Sequence, residues 1–410
     1  MAMIIRGGTV VDTDPVRVAV ADVLVDNGRI VAVGTDLPHT ADEILDATGM
    51  LVLPGFVDTH RHTWQAGLRA TGADISLGLY LDIVTNRVGP RYQPTDVYLG
   101  TLAGALECLD AGITTVVDWN HIQHTPEHTA AALDALRTAG IRAVFGYCVQ
   151  NPDVGAARKV QAATSELVTM AMAPRGPEIV GDDEALGEWL VARELGLAVT
   201  VHMGGHGRES ATRGLDFLRR NNLLGPRTSY AHGNDYSGDQ LRLIADSGGA
   251  IAVSPIVEMD LGIGAPVTAR AKNAGVPTGL GADAVISGPG DMFSLMRADY
   301  AYARLEDDTF TTRDALRAAT VVGARVADLD ALGTLAPGSH ADLVLLRTDL
   351  PGVAPVHDPV ASVVLSMDTR AVDTVIVGGR VVKRSGRLAA DVTTLLTELA
   401  TSAARVTATA

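Results

Sequence analysis

Residues 51–62 are Leu51-Val52-Leu53-Pro54-Gly55-Phe56-Val57-Asp58-Thr59-His60-Arg61-His62. The first part, Leu51–Asp58, is almost continuously apolar, which is typical of a strand buried on both faces of a parallel sheet. Side chains two residues apart in a strand point the same way, so we expect His60 and His62 to face one side together. Two imidazoles in that arrangement suit a shared metal ion, and the stretch therefore predicts a strand that carries ligands at its end.

Seven further apolar runs follow along the chain, and several stretches between them have helical spacing. The eight predicted strands are Leu51–Asp58, Ile113–Trp119, Ile141–Val149, Val168–Ala173, Ala198–His202, Thr228–His232, Ala250–Pro255 and Val276–Asp283. Helices are predicted over Ala185–Leu195 and after the capping box Thr311-Thr312-Arg313-Asp314. Eight such units predict an α/β fold, a (β/α)8 TIM-like barrel over residues 55–334. An open doubly wound sheet is the alternative, but no glycine-rich dinucleotide loop follows the first strand.

Both ends of the chain have a different pattern, in which short strands are separated by turn residues. The predicted strands are Met3–Val11, Val18–Asp26, Ile30–Gly34, 342–346 and 372–382. The segments 5–11 and 376–382 also have similar sequences. We therefore expect a small composite β-sandwich from residues 1–54 and 335–388, followed by a C-terminal helix and tail at 389–410.

The composition argues against several classes of function. The chain has 410 residues, of which 47% are hydrophobic and 20% charged, and this balance favours a folded core over disorder. A formal net charge of -15 disfavours nucleic acid as a partner. Two cysteines give no disulfide framework, no apolar window is long enough for a membrane span, and the first residues do not resemble a signal peptide. We therefore expect a cytoplasmic protein.

Chemistry-bearing residues stand at the C-terminal ends of the predicted strands, where a closed barrel of this kind has its active site. His60 and His62 follow the first strand, and His202, His232 and Asp283 end the fifth, sixth and eighth. A lone histidine at a strand end more often makes a structural hydrogen bond, and His232 alone would be interpreted in that way. Three imidazoles and a carboxylate, however, can hold a catalytic divalent ion and leave one position open for water. The set His60, His62, His202 and Asp283 therefore predicts a metal site.

Three segments resemble the amidohydrolase superfamily. Residues 51–62 are similar to its opening signature, residues 319–324 to an internal segment, and residues 333–344 to its return into the terminal β-structure. The resemblance is greatest to the branch that contains cytosine deaminase-like enzymes and triazine chlorohydrolases. It implies a small-molecule substrate and a homo-oligomer. No membrane partner is expected, because no apolar window is long enough to span a membrane.

The resemblance also implies roles for the residues at the strand ends. One divalent ion, usually zinc and in some members iron, would be held by His60, His62, His202 and Asp283. No lysine ends the fourth strand, where members with two metals carry one, so a single ion is expected. Asp283 would also take a proton from water, and His232 would polarise the substrate or steady the intermediate.

The segment after His202 departs from that resemblance. Deaminases of this branch carry a glutamate three residues after the strand 5 histidine, and this chain has Gly205 there. Hydrolysis of a C–N bond needs a proton on the leaving nitrogen, because an amide anion is a very poor leaving group. His206 is the nearest titratable neighbour and is predicted to donate that proton, with Glu258 and His232 as alternatives. An equal alternative is that His206 points into solvent.

Four residues are predicted to contact the substrate. Trp64 and Trp119 follow the first two strands and suit stacking on a flat molecule, with packing beneath loops as the equal alternative. Arg175 follows the fourth strand and would bind a substrate carboxylate or pair with a nearby acid. Glu258, after the seventh strand, is a further candidate.

Together these residues predict a mononuclear metal-dependent hydrolase of a small planar nitrogen heterocycle. The expected bond is C–N, in an exocyclic amine or a cyclic amide, with C–Cl as a second case. A metal-dependent lyase or decarboxylase on the same scaffold is the alternative, because it would not need the missing glutamate. A non-catalytic scaffold relative is the third hypothesis, and four converging ligands argue against it.

Overall fold

The computed structural model of the protein describes residues 2–37 and 41–408, and its strands form two sheets. In chain order the strands are β1 (Met3–Thr13), β2 (Val16–Asp26), β3 (Arg29–Gly34), β4 (Glu43–Asp46), β5 (Met50–Pro54), β6 (Phe56–Arg61), β7 (Ile113–Asn120), β8 (Arg142–Tyr147), β9 (Val168–Met172), β10 (Val199–Met203), β11 (Thr228–His232), β12 (Ala250–Val253), β13 (Thr278–Leu280), β14 (Leu343–Arg347), β15 (Val372–Val377), β16 (Arg380–Arg384) and β17 (Arg387–Leu388).

Helices connect the strands of one sheet and end the chain. They are α1 (Leu77–Tyr80), α2 (Pro94–Asp110), α3 (Pro126–Ala139), α4 (Val154–Ala162), α5 (Asp182–Leu195), α6 (Arg208–Arg220), α7 (Gly238–Asp246), α8 (Pro255–Asp260), α9 (Thr268–Ala274), α10 (Met292–Glu306), α11 (Thr312–Ala318), α12 (Val321–Val326), α13 (Pro359–Leu365) and α14 (Thr393–Thr407). Short 3-10 segments cover Thr63–Leu68, Gly89–Arg91 and Thr369–Ala371, and a π-helical segment covers Leu81–Val88.

Strands β6 to β13 form an eight-stranded sheet in which each strand pairs in parallel with the next. Backbone hydrogen bonds join the segment after its last strand to the end of its first, from Asp283 N to His60 O at 2.8 Å and from His62 N to Asp283 O at 2.9 Å. The sheet is therefore a nearly closed barrel, as predicted. Seven of the eight predicted strands overlap β7 to β13.

The first predicted strand, Leu51–Asp58, was wrong as a single element. It divides at Gly55 into β5 and β6, which belong to different sheets. A Cβ atom on Gly55 would lie 2.2 Å from Oγ1 of Thr114, so only glycine fits where the chain crosses from one sheet to the other. Because both strands are buried, their apolar residues form one run and the sequence hides the division.

Both ends of the chain build the second sheet, which is mostly antiparallel and has nine strands. Strand β5 pairs in parallel with β1 and antiparallel with β14, so it joins the N-terminal strands to the C-terminal ones. The sheet encloses an apolar core of its own, with Ile5, Val23 and Leu343 fully buried. The predicted composite β-structure is thus one continuous sheet separate from the barrel.

Two predicted helices are also found. The predicted segment Ala185–Leu195 lies within α5. At the start of α11 the predicted capping box is formed: Thr311 Oγ1 accepts from Asp314 N at 3.3 Å, and Asp314 Oδ2 accepts from Thr311 N at 2.8 Å. At the other end of the chain, Ser402 of α14 donates to Asp96 of α2 and fixes the C-terminal helix on the barrel. Among the described residues, no helix combines the length and apolar character needed to cross a membrane.

Candidate metal centre

Four side chains from three parts of the barrel meet at the C-terminal ends of its strands. They are His60 of β6, His62 just after it, His202 of β10 and Asp283 after β13. One ligand atom from each lies within 4.8 Å of the others. Asp283 Oδ1 lies 3.0 Å from His62 Nε2 and 3.5 Å from His60 Nε2. The structure therefore brings together the four predicted ligands His60, His62, His202 and Asp283, which form the ligand group.

The histidines of this group have ring nitrogens without protons, and such nitrogens can bind a metal. His62 Nδ1 lies 2.5 Å from the Trp119 carbonyl oxygen, so that nitrogen carries the proton and Nε2 is free to bind a metal. Both ring nitrogens of His60 are buried and neither has a partner in hydrogen-bonding geometry. Burial lowers the pKa of His60 to about 4 and the pKa of His202 well below its usual value. The neutral rings of His60 and His202, together with the free Nε2 of His62, fit a divalent ion.

Asp283 supplies the single carboxylate of the group. Burial alone would raise its pKa, but the His60 and His62 rings beside the carboxylate hold the pKa well below its usual value. Its φ is +53°, a left-handed conformation that costs a non-glycine residue about 1–3 kcal/mol. Such strain persists where the surrounding structure imposes it, and here the backbone bonds of Asp283 to β6 do so.

His232, at the end of β11, faces the same group. Its Nε2 lies 4.0 Å from Asp283 Oδ2, and its φ of +84° is again left-handed. Its Nδ1 lies 3.3 Å from Oε1 of Glu258, which also accepts from Ser254 N at 2.7 Å. Burial would lower the pKa of His232, but the bond to Glu258 and the charges of Asp283 and Glu258 raise it. Glu258 is fully buried behind His232, a place that favours a supporting role over contact with substrate.

Both candidate tryptophans are buried. Trp64 is fully buried in the 3-10 segment and its ring packs edge-on against Tyr92. Trp119 donates from Nε1 to the Thr200 carbonyl at 3.1 Å and packs against His202, with ring centroids 4.3 Å apart. These positions favour the packing alternative over stacking on a substrate, and Trp119 packs directly against a ligand histidine.

Arg175 pairs with acids of the following helix. Its guanidinium contacts Glu184 and lies 3.6 Å from Oε1 of Glu188, both on α5. The sequence left open whether Arg175 binds a substrate carboxylate or pairs with a nearby acid. In the structure Arg175 pairs with nearby acids. The same side chain also lines the cavity above strands β7 to β9.

His206 does not point freely into solvent. Its Nδ1 lies 3.0 Å from Oε2 of Glu178, whose side chain is fully buried. Sequence reasoning missed Glu178, which lies 28 residues earlier in the loop after β9. The only available signal was its position after a barrel strand, in the segment that also contains Arg175.

A cavity of about 980 Å³ opens beside the ligand group, over the ends of β7 and β8. His121 lines it and stands 4.2 Å from His62, measured between ring centroids, so this histidine separates the cavity from the ligand group. Other side chains that line the cavity include Gln123, Tyr147, Val149, Gln150, Lys159 and Val160. The wall is mixed polar and apolar, as expected where a small organic molecule binds.

Curated relatives match this chain over nearly its full length. A 5′-deoxyadenosine deaminase from Methanothermobacter thermautotrophicus is 29% identical, over 98% of this chain and 98% of its own. A 5-methylthioadenosine/S-adenosylhomocysteine deaminase from Halobacterium salinarum is 30% identical, over 93% of this chain and 92% of its own.

Solved structures match the fold. An adenosine deaminase from Xanthomonas campestris with bound zinc has a TM-score of 0.90 at 23% identity, over 98% of both chains. An atrazine chlorohydrolase from Arthrobacter aurescens TC1, complexed with zinc, also has a TM-score of 0.90 at 23% identity, over 98% of this chain and 100% of that one. The sequence pattern of the amidohydrolase family matches residues 51–382. This match covers most of the chain and includes all four clustered ligands, so the chain belongs to the amidohydrolase family and is a hydrolase.

Proposed function

We propose that this protein hydrolyses the exocyclic C–N bond of a small planar nitrogen heterocycle, using one divalent ion, zinc. The convergence of His60, His62, His202 and Asp283 carries the proposal, because it is a ligand set for a catalytic metal with an open position. The names of the full-length relatives support amine removal over other hydrolyses.

The residues of the site would have different roles in such a reaction. The four clustered side chains would hold the ion, which when bound lowers the pKa of water to about 7. Asp283 Oδ2 lies 4.0 Å from His232 Nε2, and Asp283 would accept a proton from that water. His232 would place its Nε2 against the atom of the substrate that gains charge, with Glu258 fixing the ring from behind.

The size of the cavity supports a substrate larger than one ring. At about 980 Å³ it lies at the upper end of the range for small-molecule sites. We propose that the heterocycle lies at the ligand group and that a substituent extends past His121 into the cavity. Gln123 and Gln150 would offer it hydrogen bonds, and Val149 and Val160 an apolar surface.

C–Cl hydrolysis is the second candidate, and one observation favours it. Chloride leaves without a proton, so the glycine at position 205 would be no handicap. The lyase alternative is not favoured, since the matched relatives are named as deaminases and chlorohydrolases. The scaffold hypothesis is opposed by the intact ligand group.

A product screen tests the proposal. The zinc-loaded protein would be incubated with aminated heterocycles carrying substituents of increasing size, with cyclic amides and with chlorotriazines, in water labelled with oxygen-18. Ammonia release together with label in the heterocycle is the expected result. Chloride release would replace the first candidate by the second, and carbon dioxide release without label would reject hydrolysis.

We expect about one divalent ion per chain in protein purified without chelators. The reason is that three imidazoles and one carboxylate can bind one divalent ion and leave one of its coordination positions open. Elemental analysis measures the ion, and His60→Ala is expected to lower its content because His60 contributes a buried ring with no other partner. A metal content near zero, with no activity gained on adding zinc, iron or manganese, would contradict the prediction.

A further inference from the structure

Glu178 and His206 form a buried carboxyl–imidazole pair in the loops after β9 and β10. Glu178 Oε2 lies 3.0 Å from His206 Nδ1, and Glu178 Oε1 accepts from Gly204 N at 2.8 Å. The Glu178 side chain has no exposed surface, whereas His206 keeps 24% of its side-chain surface. One ring nitrogen of His206 is thus fixed by a buried acid, and the ring remains within reach of solvent or a bound molecule.

Hydrogen bonds join the loop that carries His206 to the loop that follows β11. Asp235 N donates to Gly204 O at 2.7 Å, and Gly207 N donates to Asp235 Oδ2 at 2.7 Å. A Cβ atom on Gly205 would lie 3.3 Å from Cβ of His232, so the residue before His206 contacts the histidine that faces the ligand group. His206 therefore stands at the edge of the proposed active site on a fixed backbone.

Packing does not account for this arrangement. A buried carboxyl group loses its contacts with water, and among the described residues the Glu178 side chain makes only two hydrogen bonds in their place. The arrangement repeats that of the neighbouring pair, in which buried Glu258 fixes Nδ1 of His232 and leaves Nε2 toward Asp283. Two buried glutamates thus each orient one histidine at successive loops of the site.

We propose that Glu178 is the positioning residue for His206, and that His206 protonates the nitrogen that leaves. Glu178 accepts from Nδ1–H, which leaves Nε2 as the nitrogen that exchanges protons with the substrate. The C–N bond breaks with its electron pair on nitrogen. The proton that water gives up to Asp283 passes to His206 Nε2 and from there to that nitrogen, which leaves as ammonia. The water oxygen, with its second proton, takes the place of the nitrogen on the carbon, and His206 returns to the form protonated on Nδ1. This inference rests on the proposed C–N hydrolysis.

The test compares three variants on the amino substrate found by the screen. Glu178→Gln keeps the volume but turns an amide N–H toward His206 Nδ1, which favours the wrong tautomer. It is expected to lower kcat by about 10²–10⁴-fold with KM and zinc content nearly unchanged. His206→Gln should fall equally, and the double variant no further, because the two act as one unit. Glu209→Gln, an exposed acid at the start of α6, is the matched control and should keep wild-type kcat.

Two further measurements separate a catalytic role from a structural one. With the chloro form of the same heterocycle neither variant should lose kcat, since chloride needs no proton. Nitrogen-15 NMR of histidine-labelled protein, assigned by the signal missing in His206→Gln, should show the proton on Nδ1 in the wild type and on Nε2 in Glu178→Gln. A wild-type ring with its proton on Nε2, or full kcat in Glu178→Gln on the amino substrate, would overturn the inference. A failed screen would reject the proposed function instead, and the NMR result would still decide the orientation of His206.

Discussion

Asp283→Asn is expected to lower kcat by about 10²–10⁴-fold while the protein stays folded. An asparagine can offer the ion an oxygen from the same position, but its amide cannot accept a proton from water. The bonds that fix the Asp283 backbone to β6 involve main-chain atoms, so the substitution leaves them in place. The loss should therefore appear in the chemical step and not in folding.

Steady-state kinetics, zinc content and thermal unfolding of the same preparation measure this. Asp299→Asn is the matched control, because Asp299 is also fully buried but lies on α10 and hydrogen-bonds Thr268. Burial raises the pKa of Asp299 to about 7, so the amide resembles the protonated form and kcat should be kept. Full kcat in zinc-loaded Asp283→Asn would show that another group accepts the proton.

The barrel could be predicted because its strands are short, buried on both faces and separated by helices, so each left an apolar run. The same burial concealed where one strand became two. Leu53 pairs with Val344 in the terminal sheet, whereas Val57, four residues later, pairs with Thr115 in the barrel. Only the close approach of Gly55 to Thr114 marks the boundary, and that contact is long-range.

The ligand group could be predicted because strand ends of a barrel converge, so a strand-end position already implies proximity. The pairing of Glu178 with His206 does not follow from that rule, since both residues lie in loops whose shape depends on glycine conformations and backbone bonds to other loops. The burial of Trp64 and Trp119 was equally hidden, because an aromatic residue after a strand suits a mouth or a core. In the structure Trp64 packs against Tyr92 and Trp119 packs against His202, and these contacts place both rings in the core.

Asp342→Ala is expected to destabilise the protein by about 3–5 kcal/mol. Asp342 precedes β14 and joins the terminal sheet to the barrel: it accepts from Arg142 Nε at 2.7 Å and Nη2 at 3.0 Å, and from Gly378 N at 2.8 Å. Both charged side chains are nearly fully buried. Removing the acid leaves the Arg142 guanidinium buried without its counter-charge, and that penalty exceeds the worth of the pair itself.

Thermal unfolding should show the midpoint lowered by roughly 3–6 °C, given an unfolding entropy of about 2.1 cal/mol/K per residue. Asp349→Ala, which removes an exposed acid paired with Arg347, is the control and should not shift the midpoint measurably. Adding Arg142→Met to Asp342→Asn should recover stability relative to Asp342→Ala, since no buried charge remains and the asparagine oxygen can still accept from Gly378 N. If Asp342→Ala unfolds at the same temperature as the wild type, apolar contacts hold the two sheets together. The buried pair of Arg142 and Asp342 then contributes nothing to the free energy of unfolding.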